Sequence, residues 1–311
     1  MLVSTREMFQ QAISGGYAIP AFNINNMEMI QGIMEGVRLE KSPVILQVSR
    51  GARNYAHPTF LKKLAQAASE VYPEIPFALH LDHGDDFKIC QECIESGFSS
   101  VMIDASSHDL EENIRITKEV VQFAHEKQVT VEAELGRLAG VEDDVSVSDR
   151  DARFTDPEEA ERFVAETGCN SLAIAVGTSH GAFKFKGDPY LSYERIKQIQ
   201  DKLGDFPLVL HGASSVLQDF VKLCNDFGGD IAGAKGVPED MLAKAARETN
   251  IAKINVDTDL RLVMTGVIRK YLNDNPSVFD PRKYLGAARE EFTKMVQQKV
   301  RMCGSSGRIS G

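Results

Sequence analysis

The sequence predicts a single domain over residues 1–311 with the fold of a (β/α)8 barrel. Eight short apolar runs alternate with longer amphipathic segments between residues 17 and 259. Eight such units in about 250 residues are typical of this barrel. Nearly every run also ends in polar residues, as expected where the carboxyl ends of the strands meet around one active-site mouth.

The eight predicted strands are nearly continuous in apolar character, which is typical of a parallel sheet covered on both faces. In chain order they occupy residues 17–23, 42–49, 76–84, 100–106, 129–136, 171–181, 207–215 and 251–259. Amphipathic patterns predict helices between them, for example at residues 28–41, 59–72, 110–127 and 156–167. Asp156 followed by Pro157 is typical of a helix start.

A doubly wound open sheet is the alternative architecture. The sequence disfavours it for two reasons. No GxGxxG motif follows the first strand, and the polar residues are not confined to one topological switch point.

Charge and hydropathy exclude several classes of partner. With 35 basic and 45 acidic side chains the formal net charge is −10, whereas a nucleic-acid binder would need a basic face. No apolar run approaches the roughly 20 residues that a membrane helix needs. Residues 1–20 also lack the basic start and apolar stretch of a signal peptide. We therefore expect a cytoplasmic protein with neither a nucleic acid nor a membrane as partner.

The five cysteines do not form a disulfide framework in a chain of this length. Cys90 and Cys93 form a CxxC pair, which would suit a redox motif or half of a zinc site. Because the pair lies in a predicted helix and no second CxxC exists, we expect reduced thiols.

The Gly/Ser-rich end of the chain predicts a mobile tail over residues 303–311.

Three histidines end separate predicted strands: His83 the third, His180 the sixth and His211 the seventh. In a barrel their imidazoles would converge, and a catalytic zinc takes about three protein ligands and keeps one position open. The alternative is that each histidine is hydrogen-bonded separately. We expect the other four histidines, His57, His80, His108 and His125, to be core or surface residues.

Two carboxylates could form a second or displaced metal position. Asp104 and Glu134 end the fourth and fifth predicted strands, so both would point toward the same mouth. The alternative is a pair of carboxylates satisfied by hydrogen bonds, which is the more natural interpretation for the neighbouring Glu132.

Phosphate binding is predicted at the loops after the seventh and eighth strands, which carry HGASS and NVDTD. Backbone N–H groups there, with Ser214 or Thr258, could hold phosphate oxygens. Lys184 lies just past His180 and is a further candidate for phosphate binding; the alternative is a solvated loop lysine.

Residues 137–155 form a long polar segment of the kind that often acts as a lid. Its Glu142 is a candidate mobile acid or base, and a solvated acidic loop is the alternative.

Six motifs together resemble the class II, metal-dependent fructose-1,6-bisphosphate aldolases. They are HLDHG, IDAS, EAELG, GTSHGAFKFKG, LHGAS and KINVDTDLR, and they occur in the order of that family. The similarity extends from Phe22 to about residue 290. One such motif would be weak evidence, whereas six in order are highly specific.

The resemblance assigns expected roles position by position. It implies that Asp82 is the catalytic aspartate and Glu142 the mobile loop glutamate. It also implies that His83, His180 and His211 are the zinc ligands and that Asp104 and Glu134 belong to the alternative metal position. The residues that it implies for substrate binding are Ser49, Gly181, Lys184, Gly212, Ala213, Ser214, Asn255, Val256, Asp257, Thr258, Arg261 and Arg282. Among these, Ser49 and Arg261 would lie near the second phosphate, and Arg282 would reach across a subunit boundary.

The same resemblance implies reversible cleavage of fructose 1,6-bisphosphate into dihydroxyacetone phosphate and glyceraldehyde 3-phosphate. The expected cofactors are Zn²⁺, a second divalent position and a monovalent cation, and the expected assembly is a homodimer or homotetramer. A covalent mechanism on Lys253, the one lysine on a predicted strand, is disfavoured.

Other functions stay open at this point. The sequence departs from the commonest family pattern at Arg50 and at Asp85–Asp86. Both departures lie beside the aldehyde half of the site, so a tagatose-1,6-bisphosphate aldolase is the nearest alternative. A metal-dependent phosphosugar epimerase, a hydrolase or a non-catalytic sugar-phosphate binder is more distant.

Overall fold

The computed structural model describes residues 1–137, 139–142, 145–147, 153–180, 190–231 and 233–309. Eight parallel strands close into a barrel in which each strand pairs with the next and the last pairs with the first. With strands numbered in chain order, these are β1 (Ile19–Asn23), β2 (Val44–Ser49), β3 (Phe77–Gly84), β4 (Ser100–Ile103), β5 (Thr130–Leu135), β8 (Ser171–Ile174), β10 (Leu208–Leu210) and β11 (Ile251–Val256). The predicted single-domain (β/α)8 barrel is confirmed.

Helices cover the outside of the barrel. In the described part of the chain they are α1 (Thr5–Gly15), α2 (Met27–Glu40), α3 (Arg50–Ala56), α4 (Pro58–Val71), α5 (Phe87–Glu95), α6 (Leu110–Glu126), α7 (Pro157–Thr167), α8 (Tyr193–Leu203), α9 (Gln218–Asp226), α10 (Glu239–Glu248), α11 (Thr258–Asp274) and α12 (Pro281–Cys303). Several begin where a side chain accepts a backbone N–H of the first turn. The Asp156 carboxylate does so at α7, with Pro157 at the first helical position as predicted.

The largest apolar cluster lies between the strands and these helices. A second cluster closes the end of the barrel where the strands begin, because Met8, Phe9 and Ala12 of α1 pack against Ile19 and Ala252. The apolar core thus fills the lower barrel and its outer wall. Polar side chains are left at the opposite end, where the strands finish.

Three short strands form a separate sheet beside the mouth of the barrel. β6 (Ala139–Glu142) runs antiparallel to β7 (Val145–Val147) and parallel to β9 (Ser179–His180). The polar segment predicted over residues 137–155 therefore contains two strands. The sixth barrel strand is shorter than predicted, because β8 ends at Ile174 and His180 lies in β9.

Residues 303–309, the described part of the segment predicted as a mobile tail, contact the rest of the fold. Cys303 is the last residue of α12 and is fully buried. Ser305 is also buried, and the backbone N–H groups of Gly307 and Ile309 donate to the carbonyls of Glu40 (2.7 Å) and Lys41 (3.1 Å). These hydrogen bonds hold the segment against the end of α2. They join residues that are distant in the sequence, so the Gly/Ser-rich composition does not indicate them. Residues 310 and 311 lie outside the described residues.

Two further expectations concern cysteines and membranes. Cys90 and Cys93 are free, buried thiols on α5, as predicted. Among the helices of the described residues, none has the length and apolar character needed to cross a bilayer.

Candidate functional site

An irregularity at the end of β3 determines where the side chains of Asp82 and His83 point. In a regular strand, consecutive side chains point to opposite faces. The register between β3 and β4 shifts between Leu81 and Gly84, and His83 has a left-handed backbone conformation with φ of 50°. Such a φ is unfavourable for a residue with a Cβ and is typical of functional sites. The irregularity allows Asp82 and His83, although adjacent, to take part in one cluster around the barrel axis.

His83 and His211 face each other across the barrel mouth. Nε2 of His83 lies 2.8 Å from Nδ1 of His211. The other nitrogen of each ring is hydrogen-bonded to a carboxylate. His83 Nδ1 lies 2.9 Å from Asp104, and His211 Nε2 lies 2.7 Å from Glu132. A neutral imidazole that donates from one nitrogen carries a lone pair on the other. The two facing nitrogens are therefore directed at one point between the strands.

This donor set fits a zinc ion. Burial and the nearby His83 lower the pKa of His211, which keeps the ring in the neutral form that binds metals. Zn–N bonds of about 2.0–2.1 Å in a tetrahedral site place two ligand nitrogens about 3.3 Å apart, so the rings, whose nitrogens are 2.8 Å apart here, would move apart by about half an ångström to hold the ion. Carboxylates that orient both rings from behind are typical of metal-binding histidines.

The carboxylate of Asp82 is fully buried beside these rings and is held by three side-chain amides. Asn23 Nδ2 donates to Oδ2 at 2.8 Å, and Gln47 Nε2 lies 3.3 Å from the same oxygen. Asn255 Nδ2 lies 3.3 Å from Oδ1 and 3.1 Å from Nδ1 of His211. The amides restrict the carboxylate to one orientation in which it shares a ligand-sized space with His83 and His211.

A buried ion pair lies directly below the histidines. Lys253 Nζ donates to Glu132 Oε2 at 2.8 Å and approaches Nε2 of His80 at 3.1 Å. Burial raises the pKa of Glu132, but the charge of Lys253 and the hydrogen bond from His211 outweigh it, and the net shift is downward. Burial and the Lys253 charge lower the pKa of His80 well below its usual value. Glu132 is therefore ionised beside Lys253 and next to a neutral His80.

Asp104 and Glu134 meet at a second position that shares His83 with the first. Ligand atoms of these three residues all lie within 4.8 Å of one another. Burial raises the pKa of Asp104, yet the hydrogen bonds from His83 and Ser106 outweigh it and hold the carboxylate ionised. Two carboxylates and an imidazole could hold a divalent cation.

The segments after β10 and β11 are joined through one hydroxyl group. Ser214 Oγ accepts hydrogen bonds from the backbone N–H groups of Asp257 at 3.1 Å and Thr258 at 3.2 Å. Ala213, Ser214, Asn255, Val256 and Asp257 are all buried here, and Gly212 has a φ of 59°. A Cβ on Gly212 would lie 2.6 Å from the carbonyl oxygen of Ser179 in β9, so the end of β10 approaches β9 this closely only because the residue is glycine.

The other predicted residues are distributed as follows. Ser49 is buried at the start of α3, where its Oγ accepts from the N–H of Ala52. Arg261 pairs with Asp257 at 2.6 Å, and Arg282 is 88% exposed beside Asp280. The backbones of Glu142 and His180 lie in β6 and β9, which are neighbours in the small sheet. Gly181 and Lys184 lie outside the described residues.

Several buried polar residues of the site were not predicted, Lys253, Glu132 and Gln47 among them. Lys253 was considered only as a disfavoured nucleophile, Glu132 as an ordinary satisfied carboxylate, and Gln47 was not considered. A signal was present for the first two, because opposite charges on strands that are otherwise apolar must be paired inside the protein. Gln47 offered no such signal, since an amide in a strand carries no charge to be compensated.

Comparisons with known proteins agree with this geometry. The model of the class II fructose-bisphosphate aldolase family matches residues 3–308. The chain belongs to this family. Its members are zinc-dependent lyases that act on phosphorylated sugars, and this chain is a class II aldolase.

Relatives match the aldolase over its whole length. The fructose-bisphosphate aldolase of Giardia intestinalis is 50% identical over 308 residues, which cover 98% of this chain and 94% of that protein. The fructose-bisphosphate aldolase of Thermus caldophilus is 48% identical over 309 residues, covering 99% and 100%. The crystal structure of the YdjI aldolase from Escherichia coli K12 superposes with a TM-score of 0.80 at 30% identity, covering all of both chains.

Proposed function

We propose that this class II aldolase reversibly cleaves fructose 1,6-bisphosphate into dihydroxyacetone phosphate and glyceraldehyde 3-phosphate. The observation that carries the proposal is the convergence of His83 Nε2 and His211 Nδ1, 2.8 Å apart, beside the buried Asp82. His180 completes the proposed ligand set, and its strand lies next to the end of β10 through the contact of Ser179 with Gly212.

His83, His180 and His211 would hold a zinc ion, which would act as a Lewis acid toward the ketose carbonyl. Asp82 accepts the proton of the C4 hydroxyl as the C3–C4 bond breaks, C4 becomes the aldehyde, and the bond electrons pass to C3. Glu142 then delivers a proton to C3 of the remaining triose phosphate. The amides of Asn23, Gln47 and Asn255 orient the Asp82 carboxylate for the first transfer.

The two phosphates fix the substrate on either side of the broken bond. We assign one to the segment formed by Gly181, Gly212, Ala213, Ser214, Asn255, Val256, Asp257 and Thr258, with Lys184 as a further contact. Ser49 and Arg261 are assigned to the other phosphate, together with Arg282 of a second copy. The buried oxygens Gln47 Oε1 and Asn255 Oδ1 have no hydrogen-bond partner among the described residues, which suits a site that receives substrate hydroxyl groups.

Several finer assignments belong to the same proposal. Asp104 and Glu134 form a second position for a divalent cation with His83, and a monovalent cation accompanies the substrate phosphate. The exposed Arg282 supports a homodimer or homotetramer in which it reaches the neighbouring site. We also propose a cytoplasmic location.

A coupled assay for triose phosphate tests the proposal. Fructose 1,6-bisphosphate should yield triose phosphate, a chelator should abolish the activity, and Zn²⁺ should restore it. The same assay on tagatose 1,6-bisphosphate compares the two epimers, and faster cleavage of tagatose 1,6-bisphosphate would reassign the substrate. Full activity in the chelator, with a borohydride-trapped adduct on Lys253, would contradict the zinc mechanism.

A further inference from the structure

A second buried lysine lies outside the residues assigned to the reaction. Lys299, near the end of α12, has a side chain that is only 1% exposed. Its Nζ lies 2.7 Å from Glu239 Oε1, 2.7 Å from Asp259 Oδ2 and within hydrogen-bond distance of Ser215 Oγ. Burial lowers the pKa of Lys299, but the two carboxylates outweigh it and keep the amine charged. The buried ammonium group of Lys299 therefore lies between the carboxylates of two helices, Glu239 of α10 and Asp259 of α11.

Asp259, one of those anions, holds the chain just after Gly212–Ser214, the segment after β10 that we assign to phosphate and call the phosphate loop. It is fully buried, and its Oδ2 accepts the backbone N–H of Ser215 at 3.1 Å. Its Oδ1 accepts the backbone N–H of Leu217 at 2.9 Å. Val216, between them, has a φ of 53°, a conformation that a β-branched residue avoids. The carboxylate therefore stabilises a backbone conformation that the local sequence disfavours.

The held segment is continuous with the phosphate loop. Ser214 precedes Ser215 directly, and its Oγ receives the backbone N–H groups of Asp257 and Thr258. Gly236 packs on the other side, because a Cβ there would lie 2.3 Å from the Ser214 carbonyl oxygen. A displacement of residues 215–217 would therefore move Ser214 and disturb its bonds to the start of α11.

Lys299 is the group that keeps Asp259 in place. Without its charge, the buried carboxylate would lose the ion pair at 2.7 Å while Glu239 stays nearby. A buried carboxylate that loses a close ion pair either takes up a proton more readily or moves toward water. Either change weakens its hydrogen bonds to Ser215 and Leu217.

We propose that Lys299 is a positioning residue for substrate phosphate, acting through Asp259 on the backbone from Ser214 to Leu217. The proposal rests on the proposed function, which assigns phosphate to this loop. It assigns a role in substrate binding to the C-terminal half of α12, a helix whose other buried side chains belong to the apolar core or its edges. Lys299 itself does not touch the substrate.

The test compares Lys299→Met with Arg301→Met in the full-length zinc enzyme. Arg301 is the matched control, because it lies on the same helix and pairs with Glu40 at 2.5 Å, remote from the phosphate loop. Inorganic phosphate is the probe, as a competitive inhibitor of cleavage. Loss of charge-assisted hydrogen bonds predicts that Lys299→Met raises the inhibition constant of phosphate and the KM by about tenfold. The kcat and the zinc content should change by less than about threefold.

The control should keep the phosphate inhibition constant of the wild type even if its melting temperature falls. An inhibition constant for Lys299→Met within twofold of that of Arg301→Met would overturn the proposal. If Lys299→Met does not fold, Ser215→Ala decides, since it removes only the hydroxyl group between Lys299 and Asp259. It should raise the same constant about threefold, and an unchanged constant would refute the role. Failure of the wild type to cleave fructose 1,6-bisphosphate would instead refute the proposed function.

Discussion

Replacing Glu132 by Gln should weaken zinc binding and destabilise the metal-free protein through two separate contacts. Glu132 Oε1 lies 2.7 Å from His211 Nε2, and Oε2 lies 2.8 Å from Lys253 Nζ. The side chain of Gln has nearly the same shape, so the change removes the charge and little volume. His211 loses the carboxylate that fixes its tautomer, and Lys253 is left buried without a counter-charge.

The two effects have different magnitudes. Loss of a carboxylate behind a metal-binding histidine typically costs 10- to 100-fold in metal affinity, or about 1.4–2.8 kcal/mol. Leaving one member of a buried ion pair alone typically costs about 3–5 kcal/mol of the free energy of unfolding. Lys253→Met is the matched control, because it breaks the same ion pair and leaves the Glu132–His211 contact in place. It should destabilise the metal-free fold similarly and change zinc affinity much less.

Urea unfolding of the chelated proteins measures the loss of stability, and competition with a chromophoric chelator measures the loss of zinc affinity. The double variant Glu132→Gln/Lys253→Met should be less destabilised than the sum of the single variants, since it leaves no unpaired buried charge. If Glu132→Gln binds zinc within twofold of the wild type, Glu132 serves only Lys253 and the argument for His211 is wrong.

The same ion pair predicts a pH dependence of stability. The pKa of Glu132 is lower in the folded protein than its reference value of 4.5. A carboxyl group with a lowered folded pKa stabilises the fold fully above its unfolded pKa, and the contribution is lost as the pH falls toward the folded pKa. The stability difference between wild type and Glu132→Gln should therefore be constant from about pH 5 to 7 and shrink below about pH 4.5.

Three further predictions concern catalysis and the thiols. Asp82→Ala should keep zinc and lose cleavage by at least about 10²–10⁴-fold, and a variant with more than a tenth of the wild-type rate would make Asp82 structural. Glu142→Ala should nearly abolish solvent deuterium exchange into dihydroxyacetone phosphate with little change in melting temperature, whereas wild-type exchange would require another acid. Cys90 and Cys93 should resist iodoacetamide at pH 8 until the protein is unfolded, because burial raises both thiol pKa values, that of Cys93 to about 12. Rapid labelling of the native enzyme would contradict the burial of α5.

Much of the architecture could be predicted because it depends on local patterns. Eight apolar runs separated by amphipathic segments specify strands, helices and a covered parallel sheet, and a closed barrel accommodates eight such units. The polar residue at the end of each run then identifies the mouth. His83 and His211, 128 positions apart, could be placed together on that basis alone, since the topology of the barrel brings strand ends into contact.

Other features depend on contacts between residues that are distant in the sequence, and no local pattern encodes them. The irregularity at the end of β3 that brings the side chains of Asp82 and His83 into one cluster depends on the register between β3 and β4. The end of the sixth strand at Ile174 and the transfer of His180 to a second sheet depend on pairing with β6.

Charge pairing belongs to the same class of features. The sequence shows Lys253 and Glu132 on buried strands and Lys299 on a helix, but only the tertiary structure decides which opposite charges meet. Glu132 and Lys253 are 121 positions apart, and the amine of Lys299 lies against Glu239 and Asp259. The same holds for the end of the chain, where the Gly/Ser-rich composition suggested mobility and the carbonyls of Glu40 and Lys41 supplied the missing partners. Composition and periodicity determine which residues are buried, whereas the closure of the barrel determines which polar groups must satisfy one another there.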